Sequence, residues 1–325
     1  TQAVLRDQTN TNWKDYVSMA FFRYSPSAKW TFRVGRVAPD LFTISDYRNI
    51  NIAYTWANVP NEVYGMIPYT YIDGADVSYT QRLEDATLNF KIFGGVSESA
   101  ISTGNFTQSI DLEDLIGAAL TFDKIDWNLQ WRYTYGLIGS NDDATNFIVE
   151  QIDQIPDNLW PNKQNIYNAL SLDGQSVKYY SFSGQRFVQN WLLGFELTHI
   201  DSASQAVSKL TNGYFSAAYQ KNEHTWYTVY AQTSSDHYEF NEPGVRRQLF
   251  PELVEALESN FNFYSSNQRS LSIGWRWDMT PNMSSKFQIS HTRIDERGET
   301  LWINNSDSSP KQTVTTIIYT LSFVL

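Results

Sequence analysis

Between Ile125 and Tyr135 the chain reads IDWNLQWRYTY, with Ile125, Trp127, Leu129, Trp131, Tyr133 and Tyr135 at one parity and Asp126, Asn128, Gln130, Arg132 and Thr134 at the other. Successive side chains of a strand point to opposite faces, so this segment separates an aromatic, apolar environment from a polar one across a single layer of sheet. A soluble sandwich can present the same alternation. The pattern recurs along the chain in segments of about ten residues, the length of a tilted strand that crosses a bilayer.

Aromatic residues make up 15% of the 325 residues, yet the mean hydropathy is -0.42. A chain that is polar on average but crowded with Trp, Tyr and Phe fits a barrel with a lipid-facing belt, aromatic girdles and a polar interior. No window approaches the roughly 20 consecutive apolar residues of a membrane helix, so any crossing is by strands closed into a barrel, which satisfies every backbone polar group. A net charge of -11 argues against nucleic acid as a partner. The chain has no cysteine, which removes disulfides and thiolate metal sites.

No linker or compositional break divides residues 1–325, so one domain is expected. Short connections alternate with long ones. Turns are expected at Ser25 to Ala28, Gln81 to Asp85, Asp123-Lys124, Ser183 to Arg186, Lys221 to Glu223 and Thr280 to Asn282. Long loops are expected at Ala38 to Thr70, Val96 to Leu112, Gly136 to Gln175, Asp201 to Leu210, Ser234 to Asn267 and Ile294 to Gln312. Tight turns on one rim and long loops on the other are the asymmetry of an outer-membrane barrel. Fourteen strands are countable, from a partial strand at Thr1 to Arg6 to a last one at Thr313 to Leu325. Because Thr1 falls in or just above a strand, two further N-terminal strands are expected, for a total of sixteen; the alternative is a fourteen-stranded barrel.

From Thr31 to Gly65 the chain reads TFRVGRVAPDLFTISDYRNINIAYTWANVPNEVYG. With VGRVAPDLF at a strand top, followed by SDYRN, AYTW and PNEVYG, and with the hairpin rhythm over nearly the full chain, the sequence resembles the bacterial outer-membrane porins of the sixteen-stranded, trimeric type. It departs from them in ending on Leu325 rather than Phe and in lacking the first hairpin. The resemblance implies an all-β, antiparallel up-and-down transmembrane barrel in the Gram-negative outer membrane, assembled as a homotrimer. With two strands restored, Ala38 to Thr70 becomes the loop that folds into the lumen and narrows it. The implied function is passive diffusion of ions and small hydrophilic solutes, without a cofactor.

Strand parity assigns Arg33, Lys91, Arg132, Arg276 and Lys286 inward as cations, with Asp76, Asp126 and Glu196 inward as anions. Lys178 is a further inward candidate, although VKYYSF does not separate its faces. In the loop, Asp40, Asp46 and Glu62 oppose the wall cations, with Arg48 beside them. Opposed charges across a narrow lumen set a transverse field that orients polar solutes and weights ions by sign. The alternative is that these residues are simply the solvated face of a barrel. Tyr16, Phe22 and Phe93 are inward aromatics too scattered to form a sugar track.

Excess acid in the other loops, including Glu98, Asp111, Glu113, Asp142, Asp153, Glu239 and Glu255, offers carboxylates that divalent ions could bridge to lipopolysaccharide phosphates; solubility is the plainer reading. PELVEALESN, at Pro251 to Asn260, has helical spacing within its loop. The four histidines, His199, His224, His237 and His291, form no metal-binding pair of the H-E-x-x-H type, and neither His291 nor His199 has a Ser two residues on. No enzyme activity and no metal site are expected. Two rivals remain: a plugged or structural envelope barrel, and a soluble carbohydrate-binding β protein. The second predicts aromatics gathered in loops, whereas Trp30, Trp127, Trp131, Trp191, Trp275 and Trp277 all fall in strand segments.

Overall fold

The computed structural model describes residues 2–3, 17–67, 69–103, 106–140, 143–296, 301 and 312–324. Fourteen strands run along the described chain: β1 (Gln2–Ala3), β2 (Val17–Tyr24), β3 (Trp30–Val37), β4 (Ile72–Arg82), β5 (Ala86–Thr103), β6 (Phe106–Lys124), β7 (Trp127–Leu137), β8 (Ser176–Val188), β9 (Trp191–Ser202), β10 (Leu210–Lys221), β11 (His224–Ser235), β12 (Asn267–Thr280), β13 (Met283–Glu296) and β14 (Gln312–Phe323). Each pairs antiparallel with the next, in one sheet whose spatial order is its sequence order. Among the described residues the α-helices lie in the connections: α1 (Asn61–Tyr64), α2 (Asp143–Asp153), α3 (Lys163–Leu170) and α4 (Pro251–Phe261).

The two parities of each strand meet different surroundings. Phe22, Val34, Trp131, Trp191, Phe215, Ile273, Ile317, Tyr319 and Phe323 are exposed on the outer face. A continuous exposed apolar belt of this kind is covered by lipid or by another protein surface. Near the tight turns the belt becomes aromatic: Trp30 packs on Tyr79 at 4.8 Å, Trp191 on Tyr219 at 5.1 Å, and Trp275 stacks with Trp277. These pairs form the girdle expected where amphipathic rings sit at the membrane interface.

The inward parity is buried because the connection between β3 and β4 folds inside. Its apolar residues Leu41, Phe42, Ile44, Trp56, Val63, Tyr64, Met66 and Ile67 pack against Tyr179, Ile200, Leu210, Tyr214, Tyr227 and Val229 on the wall. That one connection hydrogen-bonds to side chains from β3 to β14, so the sheet must curl into a barrel around it. A second core fills the outer half, where Ile148, Ile152, Ile166, Leu170, Leu257 and Phe261 of the loop helices, and Trp160 between α2 and α3, meet Val37, Ile72, Phe93, Leu112, Leu115 and Ile138 of the wall. As expected, PELVEALESN is helical within α4 and buries Val254 and Leu257.

Three connections differ from the sequence reading. The turn expected at Asp123-Lys124 lies at Ile125-Asp126, because Lys124 still pairs with Ala86 and Asp123 with Asn128. The turn expected at Ser183 to Arg186 lies at Gln189-Asn190; residues 183–186 all pair with β9, and Gln189 takes the left-handed conformation (φ 54) that closes the turn. The loop expected at Val96 to Leu112 is instead a continuation of β5 and β6. Outside the bilayer a hairpin needs no apolar face, so its polar sequence resembles that of a loop while its backbone pairing continues.

Candidate functional site

The site is the belt where the infolded connection meets the wall. It begins with strand pleat: Arg33 on β3 pairs with Asp76 on β4, Lys91 on β5 with Ala119 on β6, Arg132 on β7 with Ala119 and with Ser181 on β8, and Glu196 on β9 with Ser183. Cross-strand partners share a face, so these side chains form a staggered ring on the inner surface. The small Ala119 between Lys91 and Arg132 leaves room for both to reach inward.

The loop inserts two carboxylates into this ring. Asp40 accepts a hydrogen bond from Arg132 Nε at 2.8 Å and lies 3.2 Å from Lys91 Nζ. Asp46 lies 3.4 Å from Arg33 and 3.8 Å from Lys91. Arg33 is at the same time held by Asp76 at 2.7 Å. Arg132 also donates to Ser183 Oγ and to Gln130 Oε1. Of the two loop carboxylates, Asp40 is inserted and Asp46 is the open one, its side chain 53% exposed.

Burial alone would raise the Asp40 carboxyl, but Lys91 and Arg132 overcome that and hold it below the ordinary carboxylate range. A carboxyl with a depressed folded pKa contributes stability at every pH above its unfolded value, about 3.9, and loses it as pH falls through the folded value. The loop should therefore stay docked down to about pH 4 and loosen only below it. Single-channel conductance recorded during acidification checks this, with Asp40→Asn expected to abolish the acid step.

On the opposite half of the loop, side chains of the wall hold the backbone of residues 51–57. Lys286 on β13 is fully buried and donates to the carbonyls of Asn51, Tyr54 and Trp56, the last two at 2.6 and 2.9 Å, with its ammonium 4.6 Å from the Tyr54 ring centroid. Lysine supplies three donors from one point charge, which matches three converging carbonyls. Arg276 on β12 donates to Tyr54 O at 2.8 Å and pairs with Asp278 at 2.7 Å. Tyr227 on β11 accepts from the Ala57 amide at 2.9 Å and donates to Gln288. Its ring lies over Gly274, where a Cβ would fall 2.2 Å from Tyr227 Cζ. The glycine provides the close approach that aims the hydroxyl at the loop.

Eleven of the twelve sequence-predicted residues lie at this belt, with different roles. Arg33, Asp76, Lys91, Arg132, Arg276, Lys286 and Glu196 face inward. Of these, Asp76, Lys91, Arg132, Glu196 and Lys286 are buried beneath the loop instead of lining an open passage. Glu196 meets no cation of the loop: it accepts from the Thr43 amide at 3.0 Å, the Tyr64 hydroxyl at 2.7 Å and Ser181. Glu62 likewise opposes no cation among the described residues; it is buried and accepts from Gln268 Nε2 at 2.9 Å. Arg48 donates back to the Tyr64 carbonyl and fastens the loop to itself.

Asp126 does not belong to the site. It lies exposed in the Ile125-Asp126 turn at the rim, because β6 runs two residues further than expected. Lys178 faces outward, since its neighbour Tyr179 faces inward and donates to Leu41 O at 2.8 Å. Phe22, a sequence candidate for the interior, is 75% exposed on the outer face. Phe93 is inside, and Tyr16 lies outside the described residues. Sequence reasoning missed Tyr64, Tyr179, Tyr214, Tyr227, Gln268 and Gln288. Tyr214 and Tyr227 were visible as aromatics at inward parity, a placement they share with Phe93; Tyr179 was hidden by Tyr180 beside it.

No family model matches the chain, and no curated protein matches it. Among solved structures it is similar to OmpF of Salmonella typhi in complex with daunomycin, at 10% identity and TM-score 0.48, over 90% of this chain and 74% of that one. It is also similar to OmpT, an outer membrane protein of Vibrio cholerae, at 10% identity and TM-score 0.47, over 89% and 76%. The outer membrane channel DcaP of Acinetobacter baumannii matches at 9% identity and TM-score 0.46, over 82% and 66%.

Proposed function

We propose that the chain is a Gram-negative outer-membrane porin, a passive diffusion channel for ions and small hydrophilic solutes whose passage runs past the infolded loop. The observation that carries this reading is the loop itself, which sets the exposed carboxylate of Asp46 opposite Arg33 and Lys91 inside a barrel with a lipid-facing outer belt. Charges fixed on both sides of a narrow, low-dielectric passage act on a solute more strongly than in bulk water. The well-anchored Arg132, Lys91 and Lys286 keep the loop rigid, so the field at Asp46 stays constant in position.

A second reading is favoured by a specific observation. The outer half of the barrel holds an apolar core contributed by α2, α3 and α4, which is the arrangement of a plugged or structural barrel. Planar-bilayer recording separates the two. A porin gives stepwise ohmic openings, and Asp46→Asn shifts its reversal potential in a salt gradient toward anion preference. Folded, heat-modifiable protein that inserts without conducting supports the plugged barrel. Homotrimer formation is part of the proposal, with the exposed apolar face of β2 and β3 as the contact; unheated electrophoresis reads it directly. Contact with membrane lipid follows from the belt, and contact with lipopolysaccharide from the acidic outer loops.

A further inference from the structure

We propose that the outer face between β7 and β12 carries a site for one anionic phospholipid of the periplasmic leaflet, its phosphate on Arg186 and an acyl chain in the groove that starts there. Arg186 lies on β8 near the Gln189-Asn190 turn and pairs across the strands with Trp127 and Leu193, so it shares their outward face. It is exposed, and among the described residues it forms no ion pair, not even with Asp126 of the neighbouring turn. A cation on the lipid side of a barrel is costly at the bilayer midplane. It is tolerated near the interface, where a long side chain carries its head to the phosphates.

Register gives the groove its course. Arg186, Leu193, Ala217, Thr228 and Ile273 form one cross-strand row. Arg186 lies three residues before Gln189, Ala217 five before Asn222 and Ile273 eight before Pro281, so the row climbs from the tight-turn rim into the membrane span. Ala217 and Thr228 are small, and the rows on either side are not. Toward the rim stand Trp191, Tyr219 and Trp226, and on the other side Phe195, Phe215 and Tyr230. Phe195 and Phe215 stack at 6.2 Å, and Trp191 packs on Tyr219 at 5.1 Å. Between them runs an open groove of about 810 Å³, lined by Leu193, Ala217 and Thr228 with Arg186 at its rim end. The Thr228 hydroxyl donates to the Ser272 carbonyl at 3.1 Å. No carboxylate lines the groove, and its other polar members, Asn128, Gln185 and Ser216, are uncharged.

Shape and charge select the occupant. A hydrocarbon chain fits an apolar trench that climbs into the bilayer, and a phosphate fits an unpaired guanidinium at headgroup depth. A lining without carboxylates favours a head with no ammonium of its own, hence a net anionic lipid. The tight-turn rim faces the periplasm, which places that lipid in the inner leaflet. The site rests on the barrel lying in a bilayer, as the porin reading holds, and is independent of whether it conducts.

The test uses the folded full chain in mixed micelles of detergent with phosphatidylglycerol or with phosphatidylcholine of the same acyl chains, weighed by native mass spectrometry. Retained phosphatidylglycerol is expected about tenfold above phosphatidylcholine. Arg186→Gln should remove that preference and leave phosphatidylcholine unchanged. Ala217→Phe, an outward change that fills the groove, should remove it as well with the arginine still in place. Equal retention by the wild type and Arg186→Gln overturns the proposal, a result that stands even where Ala217→Phe fails to fold. Full retention in folded Ala217→Phe overturns it too, since a surface charge then holds the head without a groove. So does an oligomer of the chain that Ala217→Phe breaks, which would make a second copy the occupant. A chain that stays soluble without detergent overturns the barrel reading together with the site, whereas an inserted barrel with no preference for phosphatidylglycerol overturns the site alone.

Discussion

Replacing Asp40 with Asn should destabilise the barrel by about 3 kcal/mol and raise both the size and the noise of its conductance. Asp40 is the shared counterion of two side chains that have little access to water, Lys91 and Arg132, at 5% and 6% exposure. Removing one partner of a buried ion pair costs ~3–5 kcal/mol, because it strands the remaining charge in a poor dielectric. Here the cost sits at the low end of that range, since Asp46 remains 3.8 Å from Lys91 and Ser183 still receives Arg132. The cheapest response is for the loop to lift away and let water reach both cations. The midpoint of thermal unfolding reads the stability, and single-channel recording reads the loop. Arg132→Gln in the same background should recover part of the loss, because residues joined in one network couple instead of adding. Equal and additive losses would show that the pair does not act through the loop.

The second large effect is expected at the far end of the same loop. Lys286→Met removes one buried ammonium and leaves the carbonyls of Asn51, Tyr54 and Trp56 without their donor. Hydrogen bonds involving a charged group are worth ~1.5–3 kcal/mol each, and an unsatisfied buried acceptor costs a further ~1–3 kcal/mol. These terms overlap, and Arg276 still holds Tyr54 O, so a loss of about 3–4 kcal/mol is expected. The turn at residues 51–57 should then become cleavable by protease in folded protein, while the Asp40 end stays docked. Lys286→Arg should not rescue it, because a planar fork cannot converge on three carbonyls as a single ammonium does. Protection of residues 51–57 in Lys286→Met would show that the apolar contacts of Trp56 and Ile44 hold the loop unaided.

The acid dependence assigned to Asp40 and the selectivity change assigned to Asp46 separate two functions of the loop carboxylates. One anchors and the other is exposed. The sequence marked both as acids near basic strands and had no means of telling them apart. The distinction comes from depth, since Asp40 follows directly on β3 and enters the ring beneath the loop, whereas Asp46 sits in a short 3₁₀ turn at Ser45–Tyr47 on the loop's open side.

Alternation alone determined which way nearly every strand residue faces. In a strand the side-chain period is two, and the two faces of this barrel meet lipid and the polar or loop-filled interior, so a local pattern carries the global orientation. That is why Arg33, Lys91, Arg132, Glu196, Arg276 and Lys286 were legible as inward residues without any knowledge of their neighbours. Lys178 escaped because Tyr179 and Tyr180, one on each face, are both aromatic and erase the contrast. Asp126 escaped because a turn's position depends on how far the partner strand stays paired, and Lys124 to Ala86 is a contact across 38 positions of chain. Only the tertiary structure decided what the inward charges do. Partners such as Gln268 and Glu62, or Lys286 and Tyr54, lie more than two hundred residues apart, and nothing local selects one acceptor over another. Their choice follows from the curl of the whole sheet around a single loop, which turns a row of charges expected to line a pore into anchors that fix that loop.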